Sequence, residues 1–168
     1  MLDRTYPEQV CSVARALEVV GERWTLLILR DAILGVRRFD DFKANLGLAR
    51  SVLTARLNRL VEEGVLERRR YQSNPDRFEY LLTPKGRELG PVVFHLMKWG
   101  DSHYPTEAGP PRLALHKGCG GKVNAALRCA RCHKHVAFAD LELRPGPGLK
   151  ASAREREGAE RQAAGGRR

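Results

Sequence analysis

The stretch that decides the fold runs Arg38-Phe39-Asp40-Asp41-Phe42-Lys43-Ala44-Asn45-Leu46, then Gly47-Leu48-Ala49-Arg50, then Ser51-Val52-Leu53-Thr54-Ala55-Arg56-Leu57-Asn58-Arg59-Leu60-Val61-Glu62-Glu63, with Gly64 behind it. In the first part Phe39, Phe42 and Leu46 recur at three and four residues, the interval that lines up side chains on one helix face. Gly47 supplies the stop. In the last part Leu53, Leu57, Leu60 and Val61 form a second apolar stripe, Ser51 is the expected N-cap and Gly64 the end. Two short helices joined by a glycine-containing turn make a helix-turn-helix.

Upstream, Val10, Val13, Ala14, Leu17 and Val20 predict a helix from Cys11 to Val20, broken by Gly21-Glu22-Arg23. Trp24, Leu27, Ile28, Ala32 and Leu34 predict another, ended by Gly35. Downstream the period changes. Val65 to Tyr71 and Phe78 to Leu82 read as two strands joined by a polar loop, Gln72 to Arg77, with Asn-Pro turn chemistry. Thr83-Pro84 opens a long helix to about His103, with Leu89, Val92, Val93, Leu96 and Met97 on one side and an expected kink at Gly90-Pro91. The fold class is therefore mainly α with a small antiparallel β-wing, a winged helix-turn-helix.

Projecting the second helix of the motif turns Ser51, Val52, Ala55, Asn58 and Arg59 outward, with Arg56 on the flank and Arg50 just ahead. Small side chains with Arg and Asn suit a major groove, where they reach base edges. Arg68, Arg69 and Arg70 and, across the loop, Arg77 place cations on the wing, fit for phosphates or the adjacent minor groove. Each arginine alone reads as a solvated face. Helix order, turn and basic hairpin together point to double-stranded DNA. The whole chain, 168 residues with a net charge of +10, agrees with a polyanionic partner. Of its 30 basic residues 23 are Arg, the side chain suited to bidentate contact.

These residues also carry a resemblance. Cys11 with Leu17-Glu18-Val19-Val20-Gly21-Glu22-Arg23-Trp24-Thr25-Leu26-Leu27-Ile28-Leu29, then Arg38-Phe39-Asp40-Asp41-Phe42, Ser51-Val52-Leu53-Thr54-Ala55-Arg56-Leu57, Glu79-Tyr80-Leu81-Leu82-Thr83-Pro84-Lys85-Gly86 and Trp99-Gly100, resembles the HxlR family of bacterial transcription regulators over about residues 8–103. The resemblance implies a homodimer on pseudo-palindromic operators, with the first and last helices forming the interface. Some members sense oxidants or electrophiles through a cysteine near the N-terminus, and Cys11 occupies that place. Ser12 follows it where many members have proline. Read from its residues, Cys11 sits at the positive end of the first helix with Arg15 on the same face and Glu8 opposing. That makes it a redox-sensing residue open to a small-molecule or oxidant effector, or else a packing residue beside Trp24.

Beyond the resemblance the texture differs. The expected division is a DNA-binding and dimerisation domain over 1–104, a Pro/Gly linker over 105–112, a small module over 113–143 and a disordered basic tail over 144–168. His116-x2-Cys119 and Cys129-x2-Cys132 are ligand pairs nine residues apart, the pattern of a zinc-ribbon-like module binding Zn²⁺ through one histidine and three thiolates. His133 and His135 are spare donors that could replace His116. Cys129-Ala130-Arg131-Cys132-His133 also matches a haem-attachment pattern, but that chemistry requires export. No βαβ pattern surrounds the pair, which sets aside a redox Cys-x-x-Cys.

Met1-Leu2-Asp3-Arg4-Thr5-Tyr6-Pro7 lacks the apolar core of a signal peptide, and the longest uncharged apolar run, Trp24 to Leu29, is far short of the roughly 20 residues of a membrane span. A cytoplasmic protein without membrane contact is expected. No nucleophile–base arrangement or phosphate loop emerges, so an enzyme is not expected. The competing reading is a zinc-ribbon protein-interaction module on a winged-helix scaffold.

Overall fold

The computed structural model describes residues 11–150. They divide into two compact units between Val93 and Phe94. The first unit contains α1 (Ser12–Val20), α2 (Thr25–Ile33), α3 (Phe39–Leu46), α4 (Arg50–Glu62), β1 (Leu66–Ser73), β2 (Asp76–Leu82) and α5 (Pro84–Glu88). Its core is the set of apolar stripes facing one another: Ile28 and Leu29 from α2, Phe42 from α3, Leu53, Leu57 and Leu60 from α4, and Val65 and Leu66 behind them. Gly47 ends α3 with φ 63°. The α3–turn–α4 unit is the expected helix-turn-helix.

Local readings shift in three places. Ser51 does not cap α4. The helix starts two residues earlier than that cap implies, with Ala49 in extended conformation at the cap and its carbonyl accepting from the Leu53 N–H at 3.1 Å. The polar loop of the wing is shorter than expected, because β1 and β2 stay paired out to Ser73↔Asp76 and leave two residues at the tip. The long helix is broken rather than kinked: α5 ends before Leu89 and α6 (Gly90–His103) restarts, since Pro91 has no N–H to carry the ladder through.

The segment before α3 adds a single bridge to the wing, Arg38↔Glu79, with the Tyr80 N–H donating to the Arg37 carbonyl at 2.8 Å. A one-residue bridge leaves no period in the sequence.

The far end of α4 is fixed by the loop into α5. The Thr83 hydroxyl donates to the Gly64 carbonyl at 2.7 Å, and Lys85 Nζ donates to the Glu63 carbonyl at 2.6 Å. The Glu63 carbonyl is one that the helix leaves unpaired at its C-terminus, and that of Gly64 follows directly behind the cap. Gly86 follows in contact: a Cβ there would lie 2.1 Å from the Val65 carbonyl oxygen. Thr83 also accepts from the Gly86 N–H at 3.1 Å, capping α5. The Thr83-Pro84-Lys85-Gly86 motif thus holds α4 in place.

The second unit takes the rest of α6 from Phe94, β3 (Arg112–His116), a 3-10 turn (Phe138–Asp140) and β4 (Leu141–Pro145). β3 and β4 pair antiparallel from Arg112↔Pro145 to His116↔Leu141. Phe94, Ala114, Val123, Cys129, Val136 and Leu141 are its buried apolar residues.

The division of the chain therefore differs from the sequence reading. The linker over 105–112 is part of the second unit, and the segment after 143 does not start as a tail. Arg144 and Pro145 are strand residues, and the Gly146 and Gly148 N–H groups donate to the carbonyls of Pro111 and Pro110 at 2.7 and 3.4 Å. Proline lacks a donor but keeps its acceptor, so a Pro-Pro stretch can be stitched by a partner far along the chain. The tail expected over 151–168 lies outside the described residues, as does Glu8. Among the described residues no helix is long and apolar enough to cross a membrane.

Candidate functional site

The exposed face of α4 carries Ser51, Thr54, Ala55, Asn58 and Arg59. Thr54 was not among the outward residues expected, although it lies three residues from Ser51 and four from Asn58 and so shares their face. Val52, expected outward, is half-buried and packs against the core of the first unit. Arg50 is exposed, its guanidinium 4.9 Å from the Phe39 ring centroid.

Arg56, on the flank, and Arg59, on the outward face, are both engaged. Arg56 is 20% exposed and pairs with Glu22 at 2.8 Å, reaching from α4 to the turn between α1 and α2. Its Nε is buried without a hydrogen-bond acceptor. A guanidinium held this way positions α4 rather than standing free at a base edge. Arg59 is half-exposed and pairs with Glu63 at 2.7 Å and, more loosely, with Glu62 at 3.9 Å. Exposed pairs of this kind contribute only about 0–1 kcal/mol, so Arg59 can exchange its partner for a base or a phosphate at little cost.

On the wing, Arg69 Nε and Nη2 both donate to Glu79 Oε1, at 3.0 and 2.8 Å, because register places the two opposite each other. Arg70 pairs with Asp76 at 3.3 Å and Arg68 lies 3.6 Å from the Phe78 ring centroid. Arg77 is exposed and makes no ion pair with another described residue.

Cys11 stands at the N-cap of α1 with φ −140° and ψ 126°, and it is exposed rather than packed beside Trp24. Two faces remain apolar and open to solvent in the described chain: Val13 and Leu17 on α1, and Val92, Leu96 and Trp99 on α6, with Val13, Val92, Leu96 and Trp99 each at least half exposed.

His116, Cys119, Cys129 and Cys132 come together as expected, their ligand atoms all within 4.8 Å of one another. His116 Nδ1 lies 3.3 Å from Cys119 Sγ and 3.4 Å from Cys132 Sγ, and Cys119 Sγ lies 3.3 Å from Cys129 Sγ. A tetrahedral ion with bonds of about 2.0–2.3 Å needs edges of about 3.5–3.8 Å, so a small expansion admits one. His133 and His135 are outside the cluster and exposed.

Within the cluster Cys129 favours thiolate. Backbone N–H groups of Cys132 and then Arg131 bring the Cys129 thiol down to about 6, the latter at 3.4 Å from the sulfur. Cys119 goes the other way: the Gly121 N–H pulls it down, but the neighbouring Cys129 thiol, burial and Cys132 outweigh that and raise it. Gly121 permits the approach, since a Cβ there would stand 2.5 Å from Cys129 Sγ. Donor chemistry and geometry both fit a metal ion, and four protein ligands leave no open position for substrate.

The profile of the family described as HxlR-like helix-turn-helix matches residues 19–108. An uncharacterized HTH-type transcriptional regulator of Mycobacterium tuberculosis is 48% identical over 140 residues, covering 83% of this chain and 89% of the relative. A span of that length takes in residues 116–132 wherever it begins. Among solved structures, PA1607, a candidate transcription factor, is similar with a TM-score of 0.65 and 36% identity over 79% of this chain and 93% of its own. The reduced form of the redox regulator HypR is similar with a TM-score of 0.52 and 32% identity, covering 55% of this chain and 92% of its own.

Proposed function

The chain belongs to the family of HxlR-like helix-turn-helix transcriptional regulators, and on that footing we propose that it binds pseudo-palindromic operator DNA as a cytoplasmic homodimer, holds one zinc ion per chain, and acts by binding rather than by catalysis. The observation that carries the reading is the outward face of α4, with Ser51, Thr54, Ala55 and Asn58 small and exposed and Arg59 beside them. Such a face enters a major groove without steric conflict and offers hydroxyl, amide and guanidinium groups to base edges. Genome-wide recovery of bound DNA tests it: a short palindromic motif is expected, and a set of fragments without a shared motif overturns it.

The exposed apolar residues of α1 and α6 support the dimer, with half-sites about one helical turn apart or a multiple of it. Light scattering near twice the mass of one chain, 18.9 kDa, is the expected outcome. Zinc is favoured by the donor set of one imidazole and three thiols. Elemental analysis of protein purified without added metal checks the identity, and iron or no metal sinks it.

The likeness to a redox regulator and the exposure of Cys11 at a helix N-cap support an oxidant response through that thiol. A Cys11→Ser variant is expected to bind DNA as the wild type does when reduced, and to lose the response to peroxide. Equal release of DNA by both at the same dose refutes the role.

A further inference from the structure

Several cations of the DNA-reading elements of the first unit are held in ion pairs within it: Arg56 with Glu22, Arg59 with Glu63, Arg69 with Glu79 and Arg70 with Asp76. The second unit is built on another balance. From Ala108 to Ala139 the sequence holds six Lys and Arg and neither Asp nor Glu.

The backbone gathers part of this charge on one face. Segments 122–124, 128–130 and 134–136 lie side by side through the bridges Val123↔Cys129 and Arg128↔His135. The Ala130 N–H donates to the Lys122 carbonyl at 2.8 Å, and the Val136 N–H to the Leu127 carbonyl at 2.7 Å. Val123, Cys129 and Val136 are 1–2% exposed and point inward. Alternation along extended chain then sends Lys122, Asn124, Arg128 and His135 to the other side, and all four are exposed. Neither Lys122 nor Arg128 has an ion pair with a described residue, and Arg131 and His133 flank the face, both exposed.

We propose that this face of the second unit grips the phosphate backbone of duplex DNA, adding a sequence-independent contact to the bases read by α4. The inference rests on the reading of the protein as a DNA-binding regulator. Exposed cations with an amide and an imidazole match phosphate oxygens in chemistry. The face lacks what other polyanions require. Residues 113–137 contain no Phe, Tyr or Trp, so there is no platform on which single-stranded bases stack and no aromatic anchor for a lipid surface. A zinc ion with three thiolates and a neutral imidazole leaves one negative charge in the interior, too little to cancel the cations around it.

The test is a salt series of fluorescence anisotropy with the full, zinc-loaded chain and a 30-bp duplex. In B-DNA each phosphate contact contributes roughly 0.9 to the slope of log affinity against log salt, so Lys122→Gln with Arg128→Gln is expected to lower the slope by about 1.8 per protomer, about 3.6 for a dimer on the duplex. Lys122→Arg with Arg128→Lys restores it. A charge-matched control at Arg15→Gln with Lys150→Gln keeps the wild-type slope. An unchanged slope in the first double variant overturns the inference, as does an equal fall in the control, or tighter binding of single-stranded RNA of equal length through the same two residues. If the wild-type chain binds no duplex at all, the regulator reading itself fails. If it binds with a slope insensitive to Lys122 and Arg128, only this inference does.

Discussion

The two units solve the same problem with different means. In the first, helices α2, α3 and α4 and the base of the wing bury Ile28, Leu29, Phe42, Leu53, Leu57, Leu60, Val65 and Leu66 around one another, and charged side chains on the surface are spent on ties between elements. In the second, six buried apolar residues include a cysteine and an alanine, too few for a module of this size to hold by burial alone. The cluster of His116, Cys119, Cys129 and Cys132, whose donors fit a metal ion, stands where a larger core would. In the first unit arginines tie elements together; in the second, residues 108–139 hold six cations and no carboxylate, and Lys122 and Arg128 make no ion pair with a described residue.

Removing the metal should separate the units most sharply. Structural zinc contributes about 10–16 kcal/mol in modules that fold around it. Chelation, or Cys129→Ser, is therefore expected to abolish amide protection over 113–145 while residues 25–82 keep theirs, as hydrogen exchange will show. Loss of protection in both units together would break the comparison.

The converse substitution is Phe42→Ala, which empties a fully buried site in the first unit. A cost of about 3–5 kcal/mol is expected in denaturant unfolding, with the metal content of the chain unchanged. Gly86→Ala drives a methyl group into the Val65 carbonyl and should cost about 1–3 kcal/mol. Because Gly86 adjoins the cap of α4, its substitution should also weaken DNA binding, read by anisotropy against the wild type.

The smallest effect on stability belongs to Arg56→Gln, about 1 kcal/mol from a partly buried pair with Glu22. Its signature is in the DNA profile. A positioning arginine weakens all operators alike, whereas Arg59→Ala should relax one base position at about 1–3 kcal/mol. Selection from a randomised duplex pool distinguishes the two, and loss of preference at a single base in the Arg56 variant would return it to the base edge.

The helix-turn-helix was legible because its signals are local: Phe39, Phe42 and Leu46 repeat within one element, and Gly47 ends it. The metal cluster was legible for a similar reason, each ligand pair being held by its own short turn. The pairing of the arginines was not. Glu22 and Arg56 are 34 positions apart and meet only through packing, and Arg69 meets Glu79 only through strand register. The Pro/Gly stretch at 105–112 read as a linker because its partners, Gly146 and Gly148, come more than thirty residues later. Composition describes a segment's own hydrogen-bond capacity and says nothing of acceptors filled from afar.

The course of α6 bears on how this protein can be cut. The division between units falls inside one continuous helix, with Val93 packed in the first core and Phe94, 1% exposed, in the second. The ring of Phe94 meets Phe138 edge to face at 6.5 Å. A deletion fragment ending at 104, where the proline begins and any boundary would first be placed, strips Phe94 and Met97 of their cover and leaves them on a stub of helix. Such a fragment carries a sticky apolar end of its own making, and its self-association reports the scissors rather than the native dimer. Fragments for study should keep the chain through Lys150 and disable the second unit by substitution at its surface instead.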